Sequence, residues 1–205
     1  IVRSEPQNTL EQLELANANV RTGMLLLDDG KPREASARFS RAAAVLEKLA
    51  AADVKNALYQ RDLSVTENQW AAALRASGLV ADALAHNRRS VALAEALEAA
   101  SPASVEYQAD AGIGNRKLAE TLLAASQSGE ALARAAGASR KLCGLSLSSP
   151  DAYLKSHCSR ALLVQSEAAL THGNAAAAED AARQALEIAS KLAGADANNA
   201  VMASD

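Results

Sequence analysis

The chain is poor in aromatic residues, proline and cysteine. Its 205 residues include one Trp, three Tyr, one Phe, four Pro and two Cys. We therefore expect no β-sandwich, β-barrel or α/β sheet, because those folds are rich in β-branched and aromatic residues. Two cysteines also exclude a disulfide-dense scaffold and a four-cysteine zinc site.

Neither sign of charge dominates, and long apolar runs are missing. Twenty-one basic and 24 acidic side chains give a net charge of −3, which is not the basic footprint of a nucleic-acid-binding protein. No apolar run reaches the roughly 18 residues of a membrane span, so we expect no direct membrane insertion.

The start of the chain bears on its compartment and completeness. The first ten residues lack the apolar core of a signal peptide, which favours the cytoplasm. The periplasm stays open if the chain belongs to a membrane-anchored protein. Because the sequence begins without Met, we expect a fragment of a larger protein.

Alanine and leucine dominate what is present, and they recur in register. The chain holds 51 Ala and 28 Leu, both strong helix formers. Steps of 48, 48 and 47 residues align four leucines: Leu49, Leu97, Leu145 and Leu192. The same steps align a turn column: Gly30, Gly78, Ser126 and Gly173. They also align a column of helix N-cap residues: Asp53, Ser101, Ser149 and Asp196. Agreement among these columns indicates an internal repeat.

Each repeat predicts two antiparallel helices separated by the turn column. The predicted helices span residues 9–28, 32–52, 54–77, 79–100, 102–125, 128–147, 150–172 and 175–194. The corresponding repeats are 9–52, 53–100, 101–148 and 149–195, with 196–205 as the start of a truncated fifth repeat or a cap. The residue missing from the fourth repeat is expected near 151–155. Since one hairpin cannot bury its apolar face alone, we predict an all-α solenoid of about four stacked hairpins in a single domain, 1–205.

The first repeat resembles a tetratricopeptide repeat (TPR). The small residue Gly23, the turn Gly30, Ala35, Phe39 and Ala42 match the spacing of that family. The later repeats keep the small residues but lose the aromatic one, and the 48-residue period is longer than the family's. The stretch from Lys48 resembles long-period TPR arrays attached to bacterial signalling proteins, including serine/threonine kinases. The resemblance implies that the first helix of each hairpin lines a concave groove for peptides or proteins.

Carrying groove positions over from the family gives a set of candidate partner-binding residues. They are Arg21, Asn68, Gln69, Arg75, Arg116, Lys117, Glu120, Arg160 and Glu167. The basic middle of this set would suit a protein or peptide partner with an acidic segment. The alternative is that these are ordinary solvated charges on helix surfaces.

The sequence offers no catalytic or cofactor site. The glycines of 112–117 (GIGNRK) fall inside a predicted helix, whereas a phosphate loop follows a strand. The three histidines are scattered, and no serine or cysteine has the partners of a catalytic triad. We therefore predict no enzyme, no cofactor and no metal site.

Cys143 and Cys158 flank the same predicted turn, and His157 lies beside them. Free thiols are the favoured interpretation, because cysteine packs well as a small hydrophobe. A disulfide would imply an oxidising compartment. A metal site would lack a fourth ligand.

Three functions follow from this sequence. The first is a non-catalytic scaffold that binds a protein or peptide. The second is a regulatory or sensory domain that controls a linked catalytic domain, such as a bacterial serine/threonine kinase. The third is a homo-oligomerisation module, which would use an uncovered apolar end of the solenoid.

Overall fold

Eight helices make up the computed structural model, which describes the backbone of residues 6–202 and the side chains of residues 8–194. They are α1 (Pro6–Asp28), α2 (Pro32–Ala52), α3 (Ala57–Ala76), α4 (Val80–Ala100), α5 (Val105–Ala124), α6 (Ser128–Leu147), α7 (Ala152–Thr171) and α8 (Ala175–Met202). The described residues contain no strand. The predicted class, an all-α chain of antiparallel helical hairpins, is confirmed.

The turn inside each hairpin has the same geometry. Its turn-column residue has a positive φ: 73° at Gly30, 80° at Gly78, 59° at Ser126 and 88° at Gly173. The next residue donates its backbone N–H to a carbonyl five residues back, as Leu79 does to Leu74 at 2.9 Å. This Schellman bond closes the helix C-terminus and reverses the chain. Ser126 is the one non-glycine in this conformation among the described residues.

The turns between hairpins differ from the sequence prediction. Asp53 and Ser101 do not cap the following helices; they end α2 and α4. The side chains of Asn56, Ser104 and Asp151 accept the N-cap hydrogen bonds instead. Each connection therefore holds a short turn between one helix and the next cap. Sequence columns could not separate the two roles, because Asp and Ser suit both a helix end and a cap.

Two further details depart from the predicted boundaries. The missing residue of the fourth repeat is absorbed in the last turn of α6, which ends at Leu147, and not at 151–155. A helix end can lose a residue without rotating an apolar face off the core. Helix α8 also continues to Met202, so the backbone is helical at Asp196, where a new helix was expected to begin. Residues 203–205 of the expected cap lie outside the described residues.

The chain divides into two compact units, an N-terminal unit (Ile1–Ser101) and a C-terminal unit (Pro102–Asp205). The predicted bounds of the four repeats stay a prediction. In the N-terminal unit, Trp70 of α3 packs against three core clusters, which are centred on Leu46, Phe39 and Ala71. One large indole thus fills space between helices that otherwise meet through alanine and leucine.

In the C-terminal unit, α5, α6, α7 and α8 all contribute to one apolar cluster among the described residues. Leu142 of α6 and Leu154 of α7 are buried in it, together with Cys158. Cys158 forms a disulfide with Cys143 of α6, and their Cα atoms are 4.7 Å apart. The free-thiol interpretation therefore does not describe this structure.

The disulfide lies at the connection between α6 and α7, which lacks a glutamine that the two earlier connections between hairpins have. At the two earlier connections between hairpins, a glutamine side chain donates to the turn: Gln60 to the Val54 carbonyl at 2.8 Å, and Gln108 to the Pro102 carbonyl at 2.6 Å. In α7, the position equivalent to these two glutamines is occupied by Lys155. The covalent link between α6 and α7 therefore stabilises the one connection that lacks the glutamine.

We expect Ser126→Gly to stabilise the protein by about 0.5–1 kcal/mol, because glycine adopts a positive φ without the steric cost of a Cβ atom. Urea unfolding followed by circular dichroism measures this change. Ser148→Gly is the control, because Ser148 ends α6 with a φ of −92°. An equal gain in the control would contradict the argument from the turn.

Loss of the disulfide should lower the free energy of unfolding by about 3 kcal/mol, since the bond closes a 15-residue loop in the unfolded chain. Urea unfolding with and without reductant measures the loss. The control is Cys143→Ala/Cys158→Ala, whose stability the reductant should leave unchanged. An unchanged urea midpoint for the reduced wild type would show that the bond carries no stability.

Candidate functional site

The first helices of the hairpins, α1, α3, α5 and α7, carry the predicted groove residues. In the N-terminal unit, Arg21 of α1 is exposed, and Gln69 and Arg75 of α3 are half-buried. Asn68 is only 7% exposed, and its side-chain oxygen accepts a hydrogen bond from the amide of Asn87 on α4 at 2.9 Å. Asn68 therefore holds α3 to α4, and this structure leaves it unavailable to a partner.

In the C-terminal unit, α5 and α7 lie next to each other. Arg116 of α5 is 7% exposed, and its guanidinium forms an ion pair with Glu120 one turn further along. Lys117 is half-buried, whereas Arg160 and Glu167 of α7 are exposed. The structure thus brings Arg116, Lys117, Glu120 and Arg160 together, while Arg21, Gln69 and Arg75 belong to the other unit.

His157 of α7 lies among these cations. Its pKa is lowered from 6.5 to about 4, first by burial and then by the positive charges of Arg116, Arg160 and Lys117. Its ring contacts that of Tyr153 edge-on, with centroids 4.4 Å apart. We call Arg116, Lys117, His157 and Arg160 the α5–α7 cluster.

Arg116 and His157 of the α5–α7 cluster have buried nitrogen atoms. The pKa of Arg116 is lowered, first by burial and then by Arg160, against the opposing effect of Glu120. The Nε atom of Arg116 and the Nδ1 atom of His157 are buried without a hydrogen-bond partner among the described residues. The charges of Arg116, Arg160 and Lys117 therefore all disfavour protonation of His157.

A second polar constellation lies in the N-terminal unit, and sequence reasoning missed it. Glu67 of α3 is fully buried, and its Oε2 lies 2.6 Å from Nδ1 of His86 on α4. Its Oε1 forms an ion pair with Arg89 at 2.9 Å, but without hydrogen-bond geometry. Arg89 also donates to Glu47 of α2 at 2.6 Å. These four residues, the Glu67 network, link three helices.

Aromatic contacts extend the Glu67 network. The rings of Trp70 and His86 stack with centroids 3.9 Å apart, and the Trp70 indole donates to the Ser36 hydroxyl at 2.8 Å. The residues of the Glu67 network pair with one another where α2, α3 and α4 pack together. The network is therefore suited to holding these three helices in register. One feature of the sequence could have indicated this network. Glu67 lies one helical turn before Trp70, on the inward face of α3.

One cleft is an open depression of about 360 Å³ between the start of α2 and the end of α3, with Lys31 and Arg33 at its wall. No group of three or more His, Cys, Asp or Glu residues in the described chain could hold a metal ion. Within the same residues, no helix is long and apolar enough to cross a membrane.

Comparisons with known proteins bear on the fold. No family model matches the chain, and none of the curated proteins matches it. Among solved structures, the chain is similar to the crystal structure of BtubC (BKLC) from P. vanneervenii, with a TM-score of 0.69 and 12% sequence identity over 95% of this chain and 68% of that chain. At this identity the likeness shows the fold alone.

A second solved structure, the crystal structure of MamA, aligns with 80% of this chain and 96% of its own. The TM-score is 0.29 and the sequence identity is 18%. This structural similarity is too low to support an argument about fold or function.

Glu67→Gln should lower the free energy of unfolding by about 1–3 kcal/mol, because it leaves buried polar groups without a charged partner. Glu47→Gln is the matched control. Its carboxylate is 44% exposed, so the loss should stay below about 1 kcal/mol. The fluorescence of Trp70, the single tryptophan, follows unfolding of this unit in urea. Equal losses in the two variants would contradict a special role for the buried carboxylate.

The lowered pKa of His157 predicts a pH-dependent stability. The unfolded chain takes up a proton near pH 6.5, whereas the folded chain does so only near pH 4, so folding is favoured above this window. The free energy of unfolding should therefore fall as the pH drops from about 6.5 to about 4, and should fall less in His157→Gln. His172→Gln, at the exposed end of α7, is the control. An identical pH profile for wild type and His157→Gln would contradict this assignment.

Proposed function

We propose that the protein is a non-catalytic scaffold that binds a protein or peptide on the exposed faces of its first helices. The observation that carries the proposal is the surface of α7, where aromatic, apolar and charged side chains are exposed together. Tyr153 and Leu163 are each 54% exposed there, and Arg160 lies between them in the sequence. Tyrosine and arginine beside apolar side chains are typical of protein–protein interfaces.

The N-terminal unit also exposes apolar side chains and an arginine on its first helices. Met24 of α1 and Val65 of α3 are 43% and 39% exposed, and Arg21 is exposed near Met24 in sequence. Helices held by core packing present such a surface before a partner arrives, so binding costs little ordering entropy. The resemblance of the first repeat to the TPR family supports the same use of these helices.

The disulfide supports an oxidising compartment for this scaffold. Cytosolic thiols are kept reduced, whereas disulfides persist in the periplasm and outside the cell. The covalent link between Cys143 and Cys158 therefore favours the periplasm or the outside of the cell over the cytoplasm.

Site-specific photo-crosslinking tests the scaffold. A benzoylphenylalanine replaces Leu163 on the first helix α7 or, as the matched control, Leu186 on the second helix α8; the two leucines are 54% and 68% exposed. In source-cell extract, we expect a defined protein adduct from position 163, because partners contact first helices. Adducts from position 186 alone, or equally from both positions, would contradict the proposed face.

A further inference from the structure

Two leucines of α1 are exposed at positions that the second hairpin buries. Steps of the repeat place Leu15 in line with Leu63 of α3, and Leu25 in line with Ala73 of α3. Leu15 and Leu25 are 56% and 67% exposed, whereas Leu63 and Ala73 are 4% and 0% exposed. A solenoid that ends at a terminal repeat normally has a polar outer face there. We call Leu15 and Leu25 the α1 face.

Helix α2 packs on the equivalent positions of α3. Leu63 lies in one apolar cluster with Ala43 and Leu46 of α2, and Ala73 lies in another with Phe39 of α2. The α1 face therefore has the composition of a first helix that packs against a preceding second helix.

Helix α8 exposes the other half of such a contact. Steps of the repeat place Leu186 in line with Ala43, and Ala189 in line with Leu46. Ala43 and Leu46 are buried in α2, whereas Leu186 and Ala189 are exposed. We call Leu186 and Ala189 the α8 face. It has the composition of a second helix that packs against a following first helix.

The side-chain volumes of α1 and α8 also complement each other. Inside the chain, the large Phe39 of α2 packs in one cluster with the small Ala73 of α3. The equivalent pair is the small Ala182 of α8 and the large Leu25 of α1. Exchanging the large and the small residue keeps such a contact filled, because close packing depends on the summed volume of the side chains.

Charge complementarity follows from the same equivalence. The Trp70 indole of α3 donates to the Ser36 hydroxyl of α2 at 2.8 Å. The equivalent residues are Thr22 of α1 and Glu179 of α8, and Arg21 is exposed next to Thr22. A docked α1 would therefore bring a guanidinium close to the carboxylate of α8, which favours this pairing of the two surfaces.

We infer that a second copy of this chain docks its α1 face on the α8 face of the first copy, as α3 packs on α2. The contact joins two different surfaces, so it is heterologous and leaves one unused face on each copy of the pair. Self-association therefore continues beyond the dimer as the protein concentration rises. The inference goes beyond the proposed scaffold function and does not depend on it.

Sedimentation equilibrium of the purified protein tests this docking. We expect the average mass of the wild type to rise above that of one chain between about 10 μM and about 1 mM. Leu15→Arg/Leu25→Arg blocks the α1 face, Leu186→Arg/Ala189→Arg blocks the α8 face, and each variant alone should stay monomeric. Their equimolar mixture should form a heterodimer and nothing larger, because each variant keeps the face that the other lacks.

Leu58→Arg/Leu147→Arg is the matched control for the added charge. Leu58 and Leu147 are exposed leucines outside both faces, so this variant should associate as the wild type does. Circular dichroism establishes that each variant folds.

Photo-crosslinking of the purified protein locates the contact. Benzoylphenylalanine at position 186 should give an adduct of twice the mass of the chain, and the second peptide in it should come from α1. Such an adduct contains this chain alone, so its mass distinguishes it from an adduct with another protein. The scaffold test in cell extract depends on adducts of the latter kind and fails or succeeds separately.

Each contrary outcome overturns the inference. A wild type that stays monomeric up to about 1 mM would leave the two faces to a different protein. A blocked variant that still associates with itself would indicate a contact between identical faces. A monomeric mixture of the two blocked variants, or a crosslink from position 186 to a helix other than α1, would equally exclude the docking of α1 on α8.

Discussion

The two helices of each hairpin meet at a pair of small residues that lie 26 positions apart in the sequence. The pairs are Ala16 and Ala42, Ser64 and Ser90, Gly112 and Ala138, and Ser159 and Ala185. All are buried. Where serines occur, the approach is close enough for side chain to backbone hydrogen bonds: Ser64 and Ser90 each donate to the other's carbonyl, at 3.0 and 2.7 Å. At Gly112 even one added methyl group would lie 2.8 Å from Cγ of Leu142. This close contact explains how the interior is filled although Phe39 is the one fully buried aromatic side chain among the described residues, because short side chains let helices pack at small distances.

The contact also determines which side chains are left for other roles. Alanine and serine bring the helices together, so several large residues of the first helices are not needed in the core, among them the half-exposed Tyr153 and Leu163. Polar residues flanking the crossing then pair across the hairpin at a spacing of 19 residues: Glu67 with His86, Asn68 with Asn87, and Asn115 with Arg134. The same spacing thus serves a contact between a buried carboxylate and an imidazole in one hairpin and a half-buried amide contact in another.

Much of the fold could be predicted from the repeat, and the candidate site could be predicted only in part. Helices and hairpin turns follow from the 48-residue register and from glycine's freedom at positive φ, which each turn column position needs. The N-caps were predicted three residues early at Asp53 and Ser101, since composition does not distinguish a residue that ends one helix from one that begins the next.

Groove positions carried over from the TPR family gave Arg116, Lys117 and Arg160, which do lie together, but also Asn68, which is buried. The Glu67 network depends on the distance between α3 and α4, which no pattern in a single sequence specifies. For Cys143 and Cys158, a disulfide was only one of three interpretations, because two cysteines that flank a turn are also compatible with free thiols.

The small-residue contact is tested most directly by adding one methyl group at a time. Alanine is favoured over glycine in a helix by about 1 kcal/mol, so Gly137→Ala, at an open position in α6, should raise the free energy of unfolding. Gly112→Ala, in α5, should lower it despite the same gain in helix propensity, because Leu142 occupies the space. Urea unfolding of the two variants beside the wild type measures both changes. If Gly112→Ala stabilises the protein as much as Gly137→Ala does, α5 and α6 do not approach as closely as this account requires.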